Sequence, residues 1–355
     1  MLGDCGRVGL VGVQLGLQRI DMLGRLRIAC RRAAQVVVRR VRDAGPAGVA
    51  HGRNVPRERT ECPPGGLSEA GRMDVRPYHE QIDDAPFREA VELLDAGDSE
   101  GLRAHLRQHP GLARRRVAFD GEPYFSNPTL LEFAAENPVR RGSLPPNIAE
   151  AAAVVLDAGG GDDRSSVEKT LGLVASGRVA RECGVQVPLI DLLCERGADP
   201  DRAIGAALAH GEFGAADALL RRGATVDLPV AAALGRVSDA VRSLPDANGE
   251  ERQAALALAA QHGHAEIVRL LLDAGENPSR YNPAGTHAHS TPLHQAVLGG
   301  HDNVVKMLVE RGAGLEFKDR VYEGTPLDWA LYAGHDESAR YLRAHGAKTA
   351  EELTS

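Results

Sequence analysis

Apolar residues in this chain recur at helical spacing in short runs and not in long ones. Ile267, Val268 and Leu271 form one such run, and Val304, Val305 and Leu308 another. Each predicts a short amphipathic helix that closes at a glycine, Gly275 or Gly312. A second short helical segment precedes each run, separated from it by Gly263 or Gly300, and Gly334 plays the same part further on. Glycine there supplies the left-handed turn that lets one helix double back on the next. The pattern therefore predicts pairs of short helices. Helices this brief are marginal in water, so their apolar faces must pack against neighbouring pairs to persist.

The pairs repeat. Thr325-Pro326-Leu327-Asp328-Trp329-Ala330 with Gly334-His335 matches Thr291-Pro292-Leu293-His294-Gln295-Ala296 with Gly300-His301, 34 residues earlier. Weaker copies run towards the N-terminus: Ala254 to Ala259 with Gly263-His264, a shortened copy at Ala231 to Gly235 and Val241 to Leu244, and Arg202 to Ala207 with Gly211. Before these come Thr170 to Ala175, Thr129 to Ala134, and an opening pair at Phe87 to Pro110. Residues Pro138 to Asn147 lengthen one helix-helix loop. Threonine before proline is a helix start: the hydroxyl caps an orphan amide, and proline at the first helical position gives up no useful donor. His294, Glu132 and Asp328 stand three residues after the cap, where each can reach back to it.

This recurrence resembles the ankyrin repeat, whose period is about 33 residues, over roughly residues 83 to 350. The resemblance, to ankyrin-repeat proteins of the bacterial type, implies an all-α solenoid of stacked helix-turn-helix units with short β-hairpin fingers. It divides the chain into an Arg/Gly/Pro-rich extension over 1–72 and an array over 73–355 of about seven to eight helix pairs including caps. It also implies an interaction scaffold that holds a protein partner through its concave face and fingers. By alignment to the family pattern, the contact candidates are Tyr281, Asn282, His287, Ser290, Arg320, Tyr322 and Glu323 on the fingers, with Gln261, His262, Leu298 and Tyr332 on the inner helices. The finger from Asn277 to Ser290 is longer than its neighbour and is the first choice for a contact surface. Trp329 has two readings, a contact residue or a core residue behind the last finger.

Charge narrows the partner. Residues 1–72 carry 13 Arg and no Lys against 6 acids, a net +7, which leaves the remainder at 29 basic and 43 acidic residues, a net −14. An acidic body lacks the basic stripe that phosphate contacts need, so no nucleic-acid partner is expected, and a basic protein surface is mildly favoured. Within the extension, Leu23, Leu26, Cys30, Ala33, Ala34, Val37 and Val41 recur at helical spacing among arginines. That spacing fits a basic amphipathic helix for an anionic surface. The alternative, preferred here, is a disordered extension or a chain that properly starts at Met73.

Recognisable chemistry is absent. Five cysteines without a CxxC pair imply neither a disulfide framework nor a zinc site, and a reducing cytoplasm suits them. His287-Ala-His289 could begin a metal site, but no further ligand stands at ligand spacing. Gly159-Gly160-Gly161 lacks the Lys-Ser/Thr of a phosphate loop. The expectation is therefore a monomeric, cytoplasmic, non-enzymatic scaffold without cofactor, catalytic group, metal or membrane span. The competing reading is an enzyme or small-ligand-binding protein that uses the same concave face.

Overall fold

The computed structural model describes residues 81–118 and 125–354. The extension over 1–72, with its arginine-rich amphipathic stretch, lies outside the described residues.

The described chain winds into successive helix pairs, each with an inner helix followed by an outer one. They are Ala85–Ala96 with Ser99–Gln108, Leu130–Ala135 with Ile148–Asp157, and Arg164–Ala175 with Gln186–Glu195. Asp201–Ala209 with Phe213–Arg221 and Leu228–Ala233 with Val237–Ser243 follow. The array closes with Gly249–Gln261 and Ala265–Asp273, Pro292–Leu298 and Asp302–Glu310, then Pro326–Ala333 and Asp336–Ala344. Inner helices stack on inner helices and outer helices pack against them, so the core runs along the stack as a ribbon of apolar side chains. Ile267, Val268 and Leu271 are fully buried in it, as are Val304, Val305 and Leu308. The architecture is the all-α solenoid that the repeats predict.

Local sequence explains the starts. Thr325 caps its helix through Asp328, whose carboxylate accepts from the Thr325 amide at 2.9 Å and from its hydroxyl at 2.9 Å. At Thr291 the reciprocal partner is His294, whose Nδ1 lies 2.8 Å from the threonine hydroxyl. Inner helix Gly249–Gln261 begins earlier than the apolar repeat alone indicates. Asn248 caps it, accepting from the Glu251 amide at 3.0 Å while Glu251 accepts from the Asn248 amide at 2.9 Å.

The Gly-His pair that ends each regular inner helix has a second purpose. His264, His301 and His335 each reach one pair back and donate Nε2–H to the last carbonyls of the preceding inner helix: Ala233 at 3.0 Å, Gln261 at 3.0 Å and Leu298 at 3.3 Å. Orphan carbonyls at helix ends need such donors. The preceding glycine gives the ring its room, because a Cβ on Gly263 would sit 2.5 Å from the His301 ring. Elsewhere side-chain amides serve such carbonyls: Asn147 reaches one pair back to Gly97 at 2.7 Å, Gln186 bonds Val174 of its own pair at 3.1 Å and Asn137 reaches forward to Leu173 at 3.0 Å.

Two irregularities shape the stack. The inserted loop over 136–147 is folded around a buried ion cluster in which Arg140 pairs with Asp95 at 2.7 Å and Glu136 at 2.9 Å and lies over the Phe133 ring. The Glu136 carboxylate also accepts from the amides of Arg140 and Gly142 at 2.7 and 2.9 Å, so one side chain gathers the loop. The pair Leu228–Ala233 and Val237–Ser243 is short, and there the apolar core divides into two clusters that meet along a seam. The expected β-hairpin fingers take a different form: among the described residues they hold no strand, and their ends meet through isolated backbone bonds, Asn282 to Ser290 at 2.9 Å in the first and Asp319 to Gly324 at 2.9 Å with Glu323 to Asp319 at 3.1 Å in the second. Proline, glycine and polar turn residues in these loops leave too few paired amides for a ladder.

Candidate partner-binding surface

The long finger does not project from the stack. It leaves outer helix Ala265–Asp273 and lies along the inner-helix layer before entering Pro292–Leu298. At its root the Arg280 carbonyl accepts from Gln253, and the Arg280 guanidinium pairs with Glu250. Tyr281 turns towards the next finger: its hydroxyl donates to the Lys318 carbonyl at 2.6 Å, and its ring lies under the Arg320 guanidinium, 3.8 Å from centroid to Cζ. Asn282 and Ser290 are buried and bind each other, with Gln295 donating to the serine hydroxyl at 2.8 Å. They build the finger from within and present nothing to a partner. His287 adopts a left-handed backbone, φ 59°, uncommon for a residue with a Cβ. Its Nε2–H reaches the Ala209 carbonyl at 2.8 Å, two pairs back.

Gln261 and His262 are drawn into the same junction. Gln261 donates to the Ala209 carbonyl at 2.8 Å and His262 to the Leu208 carbonyl at 2.9 Å. His262 also meets the Phe213 ring edge-on, centroids 5.1 Å apart. Burial, reinforced by the neighbouring histidines, lowers the His262 pKa to about 4 despite the hydrogen bond to Leu208. Phe213 and His210 belong to this junction, and neither is marked by the repeat pattern. The signal available in sequence was the shortness of the copy between them and His262, which leaves a gap for side chains to fill.

The second finger is organised by a buried carboxylate. Asp319 accepts from the amides of Val321, Tyr322 and Gly324 at 3.0, 2.6 and 3.0 Å and from the Trp329 indole at 3.0 Å. Burial alone would raise its pKa, but hydrogen bonds from His289, the Tyr322 and Val321 amides and Trp329 outweigh it and hold the carboxyl below its ordinary value. Trp329 is thereby a core residue that orders the finger behind it, 5.0 Å from the His294 ring and almost fully buried. An aspartate that gathers the amides of the following residues is a turn signal readable in sequence. Of the candidates on this finger, Arg320 and Glu323 remain outward, with Tyr322 half-buried. Glu323, like His287, has a left-handed backbone, φ 57°.

On the inner helices, Gln261, Leu298 and Tyr332 occupy one register position in successive repeats, three residues before His264, His301 and His335. Gln261 is engaged with Ala209, Tyr332 is half-buried, and Leu298 is 45% exposed while Val297 beside it is fully buried. An outward leucine flanked by a tyrosine and an arginine-bearing finger is the most apolar surface that the candidates form together.

His287 and His289 do not converge. Their rings stand perpendicular with centroids 6.2 Å apart, one bonded to Ala209 and the other against Asp319 at 3.4 Å. Among the described residues no group of three or more His, Cys, Asp or Glu side chains is placed to hold a metal ion. No described helix is long and apolar enough to cross a membrane. The glycine run at 159–161 is an inter-repeat turn, and Asp163 after it caps the next helix through the Ser166 amide at 3.2 Å.

Comparison with known proteins agrees with this geometry. The family model described as ankyrin repeats (three copies) matches residues 178–319 and 256–352. An ankyrin repeat-containing protein from Schizosaccharomyces pombe is 39% identical over 63 residues. That match covers 18% of this chain and 28% of the yeast protein, so the chain spans well under two thirds of that relative.

Proposed function

Because the chain belongs to the ankyrin-repeat family, whose arrays are generally protein-protein interaction modules, we propose that it is a scaffold holding a protein partner. The contact surface we assign is the inner-helix row at Leu298 and Tyr332 with the outward rim of the second finger at Arg320, Tyr322 and Glu323. The observation that carries this assignment is the exposure of Leu298 at 45% at the end of an inner helix whose residues 291–297 are buried. An apolar side chain kept in water between a half-buried tyrosine and a charged rim has the anatomy of an interface, apolar at the centre and polar around it. Tyr281, Asn282, His287 and Ser290 support that surface from behind, because their polar groups are committed inside the array.

Affinity capture from native lysate tests the reading. The full chain should retain a stoichiometric protein, and a Leu298→Asp/Tyr332→Ala variant with an unchanged melt should lose it. Native mass spectrometry of the purified chain provides the opposing outcome: a tightly held small molecule with no protein companion would favour a ligand-binding role for the same face.

A further inference from the structure

The short inner helix Leu228–Ala233 ends before its neighbours do, so inner helix Asp201–Ala209 runs past it and is met directly by the pair after next. The two apolar clusters divide here, with Ala207 and Leu219 on one side and Ala232 and Leu256 on the other. The inner side of the seam is closed by polar side chains. Gln261, His262 and His287, all from the C-terminal half, donate to the Leu208 and Ala209 carbonyls at 2.8, 2.9 and 2.8 Å. His287 brings the whole long finger with it, and its ring stands edge-on to His210 with centroids 5.8 Å apart. The finger tip at Ala284 and Gly285 is exposed. Asn282 and Ser290 hold the base of the loop to Gln295, so the stretch that can leave Ala209 without disturbing the helices beneath is the one between them, the exposed tip and His287.

We propose that the finger over residues 277–290 is a pH-sensitive clasp: it locks the two halves of the array together across the seam and releases as the medium acidifies. The contact stands on neutral imidazoles. Burial first, then the charge of His287, lowers the His210 pKa to about 4. Burial likewise lowers His262 to about 4, with the His264, His301 and His287 rings around it, and it lowers His287, which faces His289. The remaining charges around the seam are already engaged. Glu212, on the turn after His210, pairs with Arg181 at 3.0 Å. Asp319 holds the second finger and faces His289, and Arg280 is paired with Glu250 at the finger's root. Among the described residues no carboxylate is hydrogen-bonded to His210, His262 or His287, so protonation there meets repulsion between like charges.

The sign follows from proton linkage. A released histidine titrates near about 6.5, whereas His210 under the clasp titrates at about 4 and burial lowers His287 as well. The open form therefore binds more protons between those values. Closure is unaffected above pH about 6.5 and increasingly opposed below it, with the open-to-closed ratio rising up to about tenfold per pH unit for each histidine set free.

Hydrogen exchange on the full chain, corrected for the intrinsic pH dependence of exchange, tests the clasp. In the wild type, protection of the peptide covering 281–290 should fall at least about tenfold between pH 7 and pH 5, while helix amides at Leu256–Leu258 and Val304–Val305 stay protected. In a His210→Gln/His262→Gln/His287→Gln variant, which keeps amide donors but cannot titrate, finger protection should be flat over that range. His287→Ala alone should leave the finger unprotected at both values. Equal wild-type protection at pH 7 and 5, an unchanged pH response in the glutamine variant, full finger protection in His287→Ala, or loss of helix protection together with the finger would each overturn the proposal.

Discussion

His301 donates its Nε2–H to the Gln261 carbonyl at 3.0 Å, and a Cβ on Gly263 would lie 2.5 Å from that same imidazole. The Gly-His pair is thus a joint between repeats as well as a turn within one. Removing the His301 side chain should cost about 1–3 kcal/mol, because a helix-end carbonyl loses its donor. Gly263→Ala should also destabilise, through its left-handed backbone, φ 78°, and through the clash with the ring. Urea unfolding of the two single variants and the double variant gives the decisive number. The double variant should lose less than the sum of the singles, since the clash exists only while the imidazole is present. Strict additivity would mean that glycine serves the turn alone.

Arg140 neutralises two carboxylates that have no water to turn to: its side chain is 1% exposed, and those of Asp95 and Glu136 are 3% and 0%. Arg140→Ala leaves both acids without their main counter-ion and should destabilise by about 3–5 kcal/mol. Adding Asp95→Asn should recover part of that loss, as thermal unfolding of the single and double variants would show. A small effect of Arg140→Ala would mean that the loop over 136–147 rearranges to admit water.

Two groups near the second finger give successive titration windows, both lost on acidification. His294 accepts from Thr291 through Nδ1 and donates through Nε2–H to the Gly324 carbonyl at 3.2 Å, an arrangement that requires the neutral ring. Burial lowers its pKa to about 4, so the stability it supports is whole above pH about 6.5 and is lost as pH falls towards 4. Asp319 has a folded pKa below its ordinary value of about 3.9, so its contribution is whole above that value and disappears only as pH falls through the lowered one. Stability measured by denaturant against pH should therefore fall in two stages. Asp319→Asn should remove the lower stage and leave the upper; a single stage unaffected by this substitution would contradict the assignment.

The repeats were legible because their determinants are local. Thr-Pro starts, Gly-His ends and the apolar triplets at 267–271 and 304–308 each fit within a few residues, and the structure places all of them as the pattern indicates. Asn248 and Glu251 formed a readable helix start that the apolar repeat masked. The candidate surface was less legible because its arrangement depends on distant partners. Length marked the finger over 277–290 as unusual, but nothing in its own residues tells that His287 meets Ala209, 78 positions away. That contact arises from the missing turns of helix at Leu228–Ala233, which open a gap only once the stack is built.

The assigned surface makes a direct claim about affinity. With the captured partner in hand, isothermal titration of the wild type, of Leu298→Asp/Tyr332→Ala, and of a control pair, Arg269→Ala/Glu266→Ala, compares the inner-helix row with exposed outer-helix positions. The control should bind as the wild type does. The row variant should keep its melt within the range of ordinary surface changes, about 0.5 kcal/mol, yet lose about 2 kcal/mol or more of binding, roughly thirtyfold in Kd. An unchanged Kd in the row variant, or an equal loss in the control, would contradict the claim that the partner sits on Leu298 and Tyr332.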